Sequence, residues 1–207
     1  PNDLVKRWKI SPKSARKTVK HTTCRMKRTV LHPSLSRRFR TNDRALRYRR
    51  LQHDVYGDTM FSSTTSSRRG NKCAEVFGTR FGWARAYPMQ TKGDAHEALS
   101  LFFQQVGVPP VMIVDNSKEQ IGKKFRRKCQ EAQCRLKQPE PYTPKSNAAE
   151  GTIKELKKGT RRLMITRRVP KSLWDHALEL QSLIMSHTSN DIFYLQGEVP
   201  ETYMTGE

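Results

Sequence analysis

The sequence predicts an α/β domain in which a mixed sheet carries helices on both faces, preceded by a small basic helical arm. Three observations lead to this fold class. Three short strand-like runs follow one another between residues 53 and 89, as in an antiparallel meander. A continuous apolar run at 111–114 is typical of a buried strand. Apolar residues at helical spacing before and after that run supply the layers that would cover the sheet.

The elements of this domain follow one another in a definite order. We expect strands at 53–61, 72–79 and 83–89, a helix at 93–106, a strand at 111–114, a helix at 118–132, a strand at 134–137 and helices at 146–167 and 171–188. The last helix should present one apolar face, formed by Leu173, Trp174, Ala177, Leu178, Leu180, Leu183 and Ile184. This is the element order of the RNase H-like fold, a mixed sheet with helices on both faces.

The chain length allows one domain and an appendage. With 207 residues, it fits a basic arm and linker at 1–50, a core domain at 51–190 and a truncated C-terminal extension at 191–207. The first residue is Pro1, and we expect the chain to be a piece of a longer protein. No apolar run reaches the roughly 18 residues of a membrane span, and no signal peptide is visible, so we expect a soluble, intracellular protein with no membrane partner.

The charge balance indicates a polyanionic partner. The chain carries 40 Lys and Arg against 19 Asp and Glu, a net charge of +21. Residues 1–50 hold 17 of the basic residues against Asp3 and Asp43, a net +15 that leaves +6 for the remainder. Charge-driven binding should therefore concentrate in the first quarter, unless that quarter is a solvated basic tail.

Two short helices are predicted near the start of the chain. Leu4, Val5 and Trp8 share one side of the first, and Ser11 caps a second that begins at Pro12. Basic residues cover most of the second helix: Lys13, Arg16, Lys17 and Lys20. The pair is similar to a helix-turn-helix that binds DNA, and packing of the pair onto the core is the alternative.

The four cysteines fit no zinc or disulfide pattern. Cys24, Cys73, Cys129 and Cys134 lack C-x-x-C spacing, and we expect them to be reduced and structural. A zinc site built from His21, Cys24, His32 and His53 fits no familiar spacing.

Three carboxylates stand where separate elements could bring them together. Asp58 lies in the middle of the first strand, Asp115 ends the buried strand, and Glu150 lies in the first turn of the helix after a proline-rich loop. Each alone has an ordinary structural role as an exposed acid, a helix cap or a first-turn acid. An apolar strand that ends on an acid, however, delivers that acid to the sheet's edge. No Ser, His or Cys nucleophile arrangement and no Gly-rich phosphate loop is present.

These residues resemble the DDE integrases, most closely those of copia-type long-terminal-repeat retrotransposons in a variant similar to algal elements. The matching phrases are Gly57-Asp58-Thr59-Met60-Phe61, Val114-Asp115-Asn116-Ser117-Lys118-Glu119-Gln120 and Pro141-Tyr142-Thr143-Pro144 with Asn147-Ala148-Ala149-Glu150-Gly151-Thr152-Ile153-Lys154-Glu155-Leu156. The resemblance covers about residues 53–190.

The resemblance implies a two-metal polynucleotidyl transferase with endonuclease activity. Asp58, Asp115 and Glu150 would be catalytic and would hold two Mg²⁺ or Mn²⁺ ions. Lys154, Lys157, Lys158 and Arg161 would contact DNA, with a solvated basic face as the alternative reading. Partners would be element ends, target DNA and further copies of the chain, in the nucleus or in a virus-like particle.

Two features depart from the family pattern. Between Asp115 and Glu150 lie 34 residues, one fewer than the family's usual spacing, whereas Glu155 would leave 39 and break the phrase that begins at Asn147. The family's His-His-Cys-Cys module is absent, and the basic helix pair stands in its place.

The expected function is therefore metal-dependent trimming of 3′ ends and DNA strand transfer. Two alternatives stay open, an inactive DNA-binding relic of a mobile element and an RNase H-like nuclease that only hydrolyses.

Overall fold

The structure is a computed structural model that describes residues 1–22, 48–114, 122–138, 148–192, 195 and 197–206, without the side chains of residues 22 and 148–150. Its strands are β1 (Val55–Phe61), β2 (Cys73–Gly78), β3 (Ala84–Met89), β4 (Val111–Val114) and β5 (Arg135–Lys137). Its helices are α1 (Asn2–Trp8), α2 (Pro12–Thr22), α3 (Ala95–Gln105), α4 (Lys123–Glu131), α5 (Ala148–Arg167), α6 (Trp174–His187) and α7 (Pro200–Thr205). Single turns of 3₁₀ helix precede α3 and α6.

The five strands form one mixed sheet in the order β3-β2-β1-β4-β5. The first three pair antiparallel, as the short connections between them require, whereas β4 pairs parallel with β1 and β5 parallel with β4. The predicted fold class is confirmed.

Side chains alternate between the two faces of the sheet, and each face has its own apolar cluster. The larger cluster includes Val55, Phe77 and Met112 from strands, packed with residues of α3 and α4 such as Phe102 and Phe125. The smaller cluster joins Ala74, Val76 and Ala86 of the sheet to residues of α5 and α6: Ile153, Leu156, Trp174 and Leu178. Helices therefore cover both faces, as predicted.

Residues on both sides of the predicted 51–190 core contribute to this packing. Arg50 bridges to Val108, and the Leu51 backbone N–H donates to the Val108 carbonyl at 2.9 Å. Leu195 and Met204 belong to the larger cluster, although no element was predicted there. The segment at 197–206 thus completes the core through α7.

The predicted apolar face of α6 is wrong at two positions. Trp174, Leu178 and Ile184 are buried, but Leu180 and Leu183 are 47% and 43% exposed. The buried face of α6 instead includes two small polar residues, Ser182 and Ser186. The Ser186 hydroxyl is satisfied there, because it donates to the Ala84 carbonyl at 2.7 Å and accepts from the Ala84 N–H at 3.0 Å.

The first two helices dock on the end of α5 and on the segment after α6. The Arg167 guanidinium donates to the carbonyls of Lys6 and Arg7 at 2.9 and 3.0 Å. These two carbonyls at the C-terminal end of α1 have no partner within the helix, so Arg167 supplies their hydrogen bonds. On α2, Ala15 and Thr18 are buried, and the Thr18 hydroxyl accepts from the Ser189 N–H at 2.8 Å. Across the described ranges, no helix has the length and apolar character of a membrane span.

Candidate active site and basic surface

Asp58 lies at the centre of the sheet, on the face covered by α5. It pairs across β1 and β2 with Val76, a member of the smaller cluster, and paired residues of neighbouring strands point to the same face. Its side chain is half-buried, and Oδ1 accepts a hydrogen bond from the Thr59 N–H at 2.8 Å. Asp58 thus lies on the face of the sheet that α5 covers.

The pairing of β1 with β4 places the residues before the first two predicted acids opposite each other. Gly57 pairs with Val114 in parallel register, and these residues immediately precede Asp58 and Asp115 in the sequence. Asp115 itself lies outside the described residues. The absence of a side chain at Gly57 leaves space for its neighbours, since a Cβ at that position would lie 3.2 Å from Cγ1 of Val114 and 3.3 Å from Cε1 of Phe77.

The start of α5 is fixed over the end of β2. The Thr152 hydroxyl donates to the Thr79 carbonyl at 3.1 Å, and Thr152 Cγ2 lies 3.0 Å from where a Cβ on Gly78 would stand. One turn after Glu150, Ile153 is buried in the smaller cluster beside Val76. The backbone of Glu150 belongs to α5, whereas its side chain lies outside the described part.

Of the three predicted acids, Asp58 is the one whose side chain lies within the described part of the chain. Among the described side chains, no group of three His, Cys, Asp or Glu residues could hold a metal ion. Carboxylate oxygens are the ligands that Mg²⁺ and Mn²⁺ prefer. The carboxylate of Asp58 fits that chemistry. A second acid, Asp115, follows Val114 in the sequence, and Val114 pairs with the residue before Asp58.

Comparison with solved structures finds retroviral integrases. The chain matches a chain of the simian T-cell lymphotropic virus intasome, solved in complex with PP2A regulatory subunit B56 gamma, at 18% identity and a TM-score of 0.59 over 73% of this chain and 54% of that one. It matches the catalytic core domain of BIV integrase at 16% identity and a TM-score of 0.55, over 72% and 91%.

A third match is the HTLV-2 integrase catalytic core domain in complex with magnesium, in a trimeric form, at 13% identity and a TM-score of 0.57 over 74% and 96%. The fold is that of a retroviral integrase catalytic core. No protein-family model and no curated protein matches the chain. The chain spans about half the length of the intasome chain that it matches.

A buried carboxylate near the site was missed in the sequence. Glu75 is fully buried in β2 and accepts from the Thr59 hydroxyl at 2.7 Å. Because Thr59 follows Asp58 on the strand, Glu75 lies on the opposite face of the sheet from Asp58. The signal available in the sequence was an acid inside the apolar run at 73–77.

Three of the four cysteines lie in the described part of the chain. Cys73, Cys129 and Cys134 are buried free thiols. Burial, followed by the negative charges of Asp94 and Glu75, raises the pKa of the Cys73 thiol. Cys24 and His32 of the discounted zinc group lie outside the described residues, and the ring of His53 stacks on Tyr203.

A basic surface runs along α5. The side chains of Lys154, Lys157, Lys158 and Arg161 are all exposed. An open hollow of about 500 Å³ is lined by Lys157, Lys158, Arg161, Arg162, Ile165 and Thr166, which include no acid. Nearby, Lys158 Nζ lies 3.8 Å from Glu155 Oε1 in an exposed ion pair. Binding of DNA by these residues stays a prediction.

The basic residues of α2 divide into two groups. Lys17 forms a close ion pair with Asp191, and Lys13 Nζ lies 3.6 Å from the same carboxylate. Arg16 and Lys20 have exposed side chains. Asp191 therefore competes with any anion that approaches Lys13 and Lys17.

Proposed function

We propose that this chain is the catalytic core of an integrase from a copia-type retrotransposon, similar to those of algal elements. It would trim the 3′ ends of element DNA and join them to target DNA. The observation that carries the proposal is the parallel pairing of Gly57 with Val114, which aligns the residues before two acids at the centre of an integrase-core fold.

The residues that would hold two Mg²⁺ or Mn²⁺ ions are Asp58, Asp115 and Glu150. When bound, such ions activate a hydroxyl for attack on a phosphodiester and stabilise the leaving oxygen. The sheet supports this role by holding Asp58 rigidly, since β1 is hydrogen-bonded on both sides. The Thr152–Thr79 hydrogen bond in turn fixes the backbone of α5 close to Glu150.

The chain's own basic residues would position DNA. Lys154 and Lys157 follow Glu150 by one and two turns of α5, where they can contact phosphates beside the acids. Lys158 and Arg161 extend the positive surface, and Lys13, Arg16, Lys17 and Lys20 of α2 add to it. Further copies of the chain are the other partners that we propose, with action in the nucleus or in a virus-like particle.

The experiment combines the purified chain with labelled duplex carrying the element's terminal sequence, a target plasmid, and Mg²⁺ or Mn²⁺. We expect shortened 3′ ends and label joined to the plasmid. Asp58→Asn and Asp115→Asn should lose both products, because each removes a metal ligand, and should keep the affinity for DNA.

The other outcomes contradict the proposal in distinguishable ways. Cutting without joining identifies a nuclease. Binding of DNA with neither reaction identifies an inactive relic. A circular-dichroism melt of each variant distinguishes loss of chemistry from loss of the folded state.

A further inference from the structure

A second, smaller hollow lies between the docked helices α1 and α2 and the middle of α5. Its volume is about 230 Å³. We name it the arm hollow. Its lining includes Trp8, Lys9, Ile10, Ser11, Arg162 and Leu163. None of the residues that line it is acidic.

Hydrogen bonds and close packing hold the walls of the arm hollow in place. Arg167 fixes the end of α1 through the carbonyls of Lys6 and Arg7. On α5, Gly159 admits the Gln181 side chain of α6, whose Nε2 lies 2.5 Å from where a Cβ would stand. The hollow is thus preformed, and a ligand would not have to order it.

Two cations of the arm hollow are available to an anion. Lys9 and Arg162 pair with no carboxylate in the part of the chain that the structure describes. Lys9 ends α1 in the left-handed backbone conformation at φ 56°. Arg162 also lines the larger hollow along α5, so the positive surface continues from α5 to α1.

The arm hollow also has an aromatic and apolar side. Trp8 is half-buried, and its indole N–H donates to no other described residue. The other two tryptophans differ, since Trp83 is fully buried and donates to Glu201 at 2.8 Å, and Trp174 is 5% exposed. Ile10 and Leu163 extend the apolar side.

We propose that the arm hollow binds an unpaired DNA strand, with Lys9 and Arg162 on a phosphate and Trp8 against a base. A basic groove joined to an aromatic side chain is the general arrangement of sites for single strands. A duplex keeps its bases stacked inside and would offer only phosphates, and a free phosphate would leave Trp8 without a role. The choice of DNA as the polymer rests on the proposed function.

Intrinsic fluorescence tests the contact with Trp8 directly, because it is the accessible tryptophan of the three. Oligo-dT of about 12 nucleotides, long enough for one such site, should quench the emission of the full chain in EDTA. A duplex of equal length should quench it much less. Trp8→Leu should abolish the quenching and weaken oligo-dT binding about tenfold, in keeping with the loss of one stacked base. Quenching that persists in Trp8→Leu, or equal quenching by the duplex, would overturn the proposal.

Charge removal provides the second test. Lys9→Asn/Arg162→Gln keeps a residue that tolerates the left-handed conformation at position 9 and removes both cations. Its oligo-dT affinity should fall about tenfold with a shallower salt dependence, because about two phosphate contacts are lost. The matched control Lys124→Gln/Lys128→Gln removes two exposed charges from α4, which packs with α3 and β5. Equal losses in the two double variants would show that net charge alone binds the strand.

Failure of the proposed function would appear differently. Asp58→Asn should keep oligo-dT binding and quenching, because the measurement needs no metal. If the chain never joins DNA but passes both binding tests, the proposal for the arm hollow stands and the proposed integrase function is wrong.

Discussion

Gly57 of β1 lies opposite Val114 of β4, and a side chain at position 57 would crowd the neighbouring side chains on the same face of the sheet. A Cβ there would meet Val114 at 3.2 Å and Phe77 at 3.3 Å, and both neighbours are buried in the larger cluster. The packing of Val114 and Phe77 in the core thus depends on the glycine at position 57.

Gly57→Ala should therefore destabilise the chain by about 1–3 kcal/mol, the usual cost of overpacking a filled core. Urea denaturation followed by circular dichroism measures this change. DNA joining should also fall at temperatures where the variant is folded, because Val114 directly precedes Asp115.

Gly151→Ala is the matched control. Gly151 lies in α5, and a methyl group added there would have no atom within 4 Å, so alanine should raise the free energy of unfolding by about 0.5–1 kcal/mol. Equal stability of Gly57→Ala and the parent would mean that Val114 and Phe77 move aside without cost.

The choice between Glu150 and Glu155 can be tested with one conservative substitution each. Glu150→Gln should abolish trimming and joining, because a neutral amide binds Mg²⁺ or Mn²⁺ much more weakly than a carboxylate does. Glu155→Gln should keep both activities, since Glu155 is exposed and its partner is Lys158 at 3.8 Å. Gel analysis of the labelled products measures both variants. The opposite pattern would assign the third ligand to Glu155 and the longer spacing to this protein.

The sequence predicted most elements because each is encoded by residues close together in the chain. The run at 111–114 is one example, and it matches β4 at both ends. Contacts between distant residues were not predictable. The helix α7 is short, and its Glu201 is positioned by Trp83 and Arg85, more than a hundred residues away. The pairing of Gly57 with Val114 is likewise invisible without the sheet, although the acids that follow were recognisable from their motif.

A buried acid should make stability depend on pH. Asp175 of α6 is fully buried and holds the β1–β2 connection. Burial alone would raise its pKa, but hydrogen bonds from Ser66 at 2.6 Å, Asn71 at 2.9 Å and the His176 N–H at 2.9 Å hold the pKa below its usual range. The folded state therefore favours the ionised form.

A lowered folded pKa means that the stabilisation is complete above the unfolded value, about 3.9, and is lost as the pH falls through the folded value. Asp175→Asn should cost about 1–3 kcal/mol at neutral pH, and the difference from the parent should shrink below about pH 4. Denaturation at a series of pH values measures this difference. Ser66→Ala removes one donor and should show a smaller pH dependence than the parent. A difference that is constant down to the acid transition would contradict the role of ionisation.

Reversal of charge on α5 tests the DNA path. Lys154→Glu/Lys157→Glu should reduce joining far more than Mn²⁺ affinity measured by calorimetry, because each change repels a strand beside the acids. Lys124→Glu/Lys128→Glu makes the same change of charge on α4. Equal activity of the two variants would place the DNA elsewhere on the surface.

The ion pairs of Asp191 with Lys13 and Lys17 lead to the last prediction. Asp191→Asn removes the carboxylate that both lysines contact, while the hydrogen bond from the Ser189 N–H to Thr18 keeps α2 docked. The two ammonium groups then become available to phosphates. Affinity for duplex DNA should rise, and the slope of log affinity against log salt should steepen by up to about 2, since each added phosphate contact contributes about 0.9.

Fluorescence anisotropy at several salt concentrations measures both quantities. Glu131→Gln is the control, because it changes the net charge equally and removes the partner of Arg127 on α4, away from the docked helices. If the two variants gain affinity equally, the gain reflects net charge, and Lys13 and Lys17 do not contact DNA. If only Asp191→Asn steepens the slope, α2 is part of the DNA-binding surface and Asp191 weakens its attraction for phosphate in the free protein.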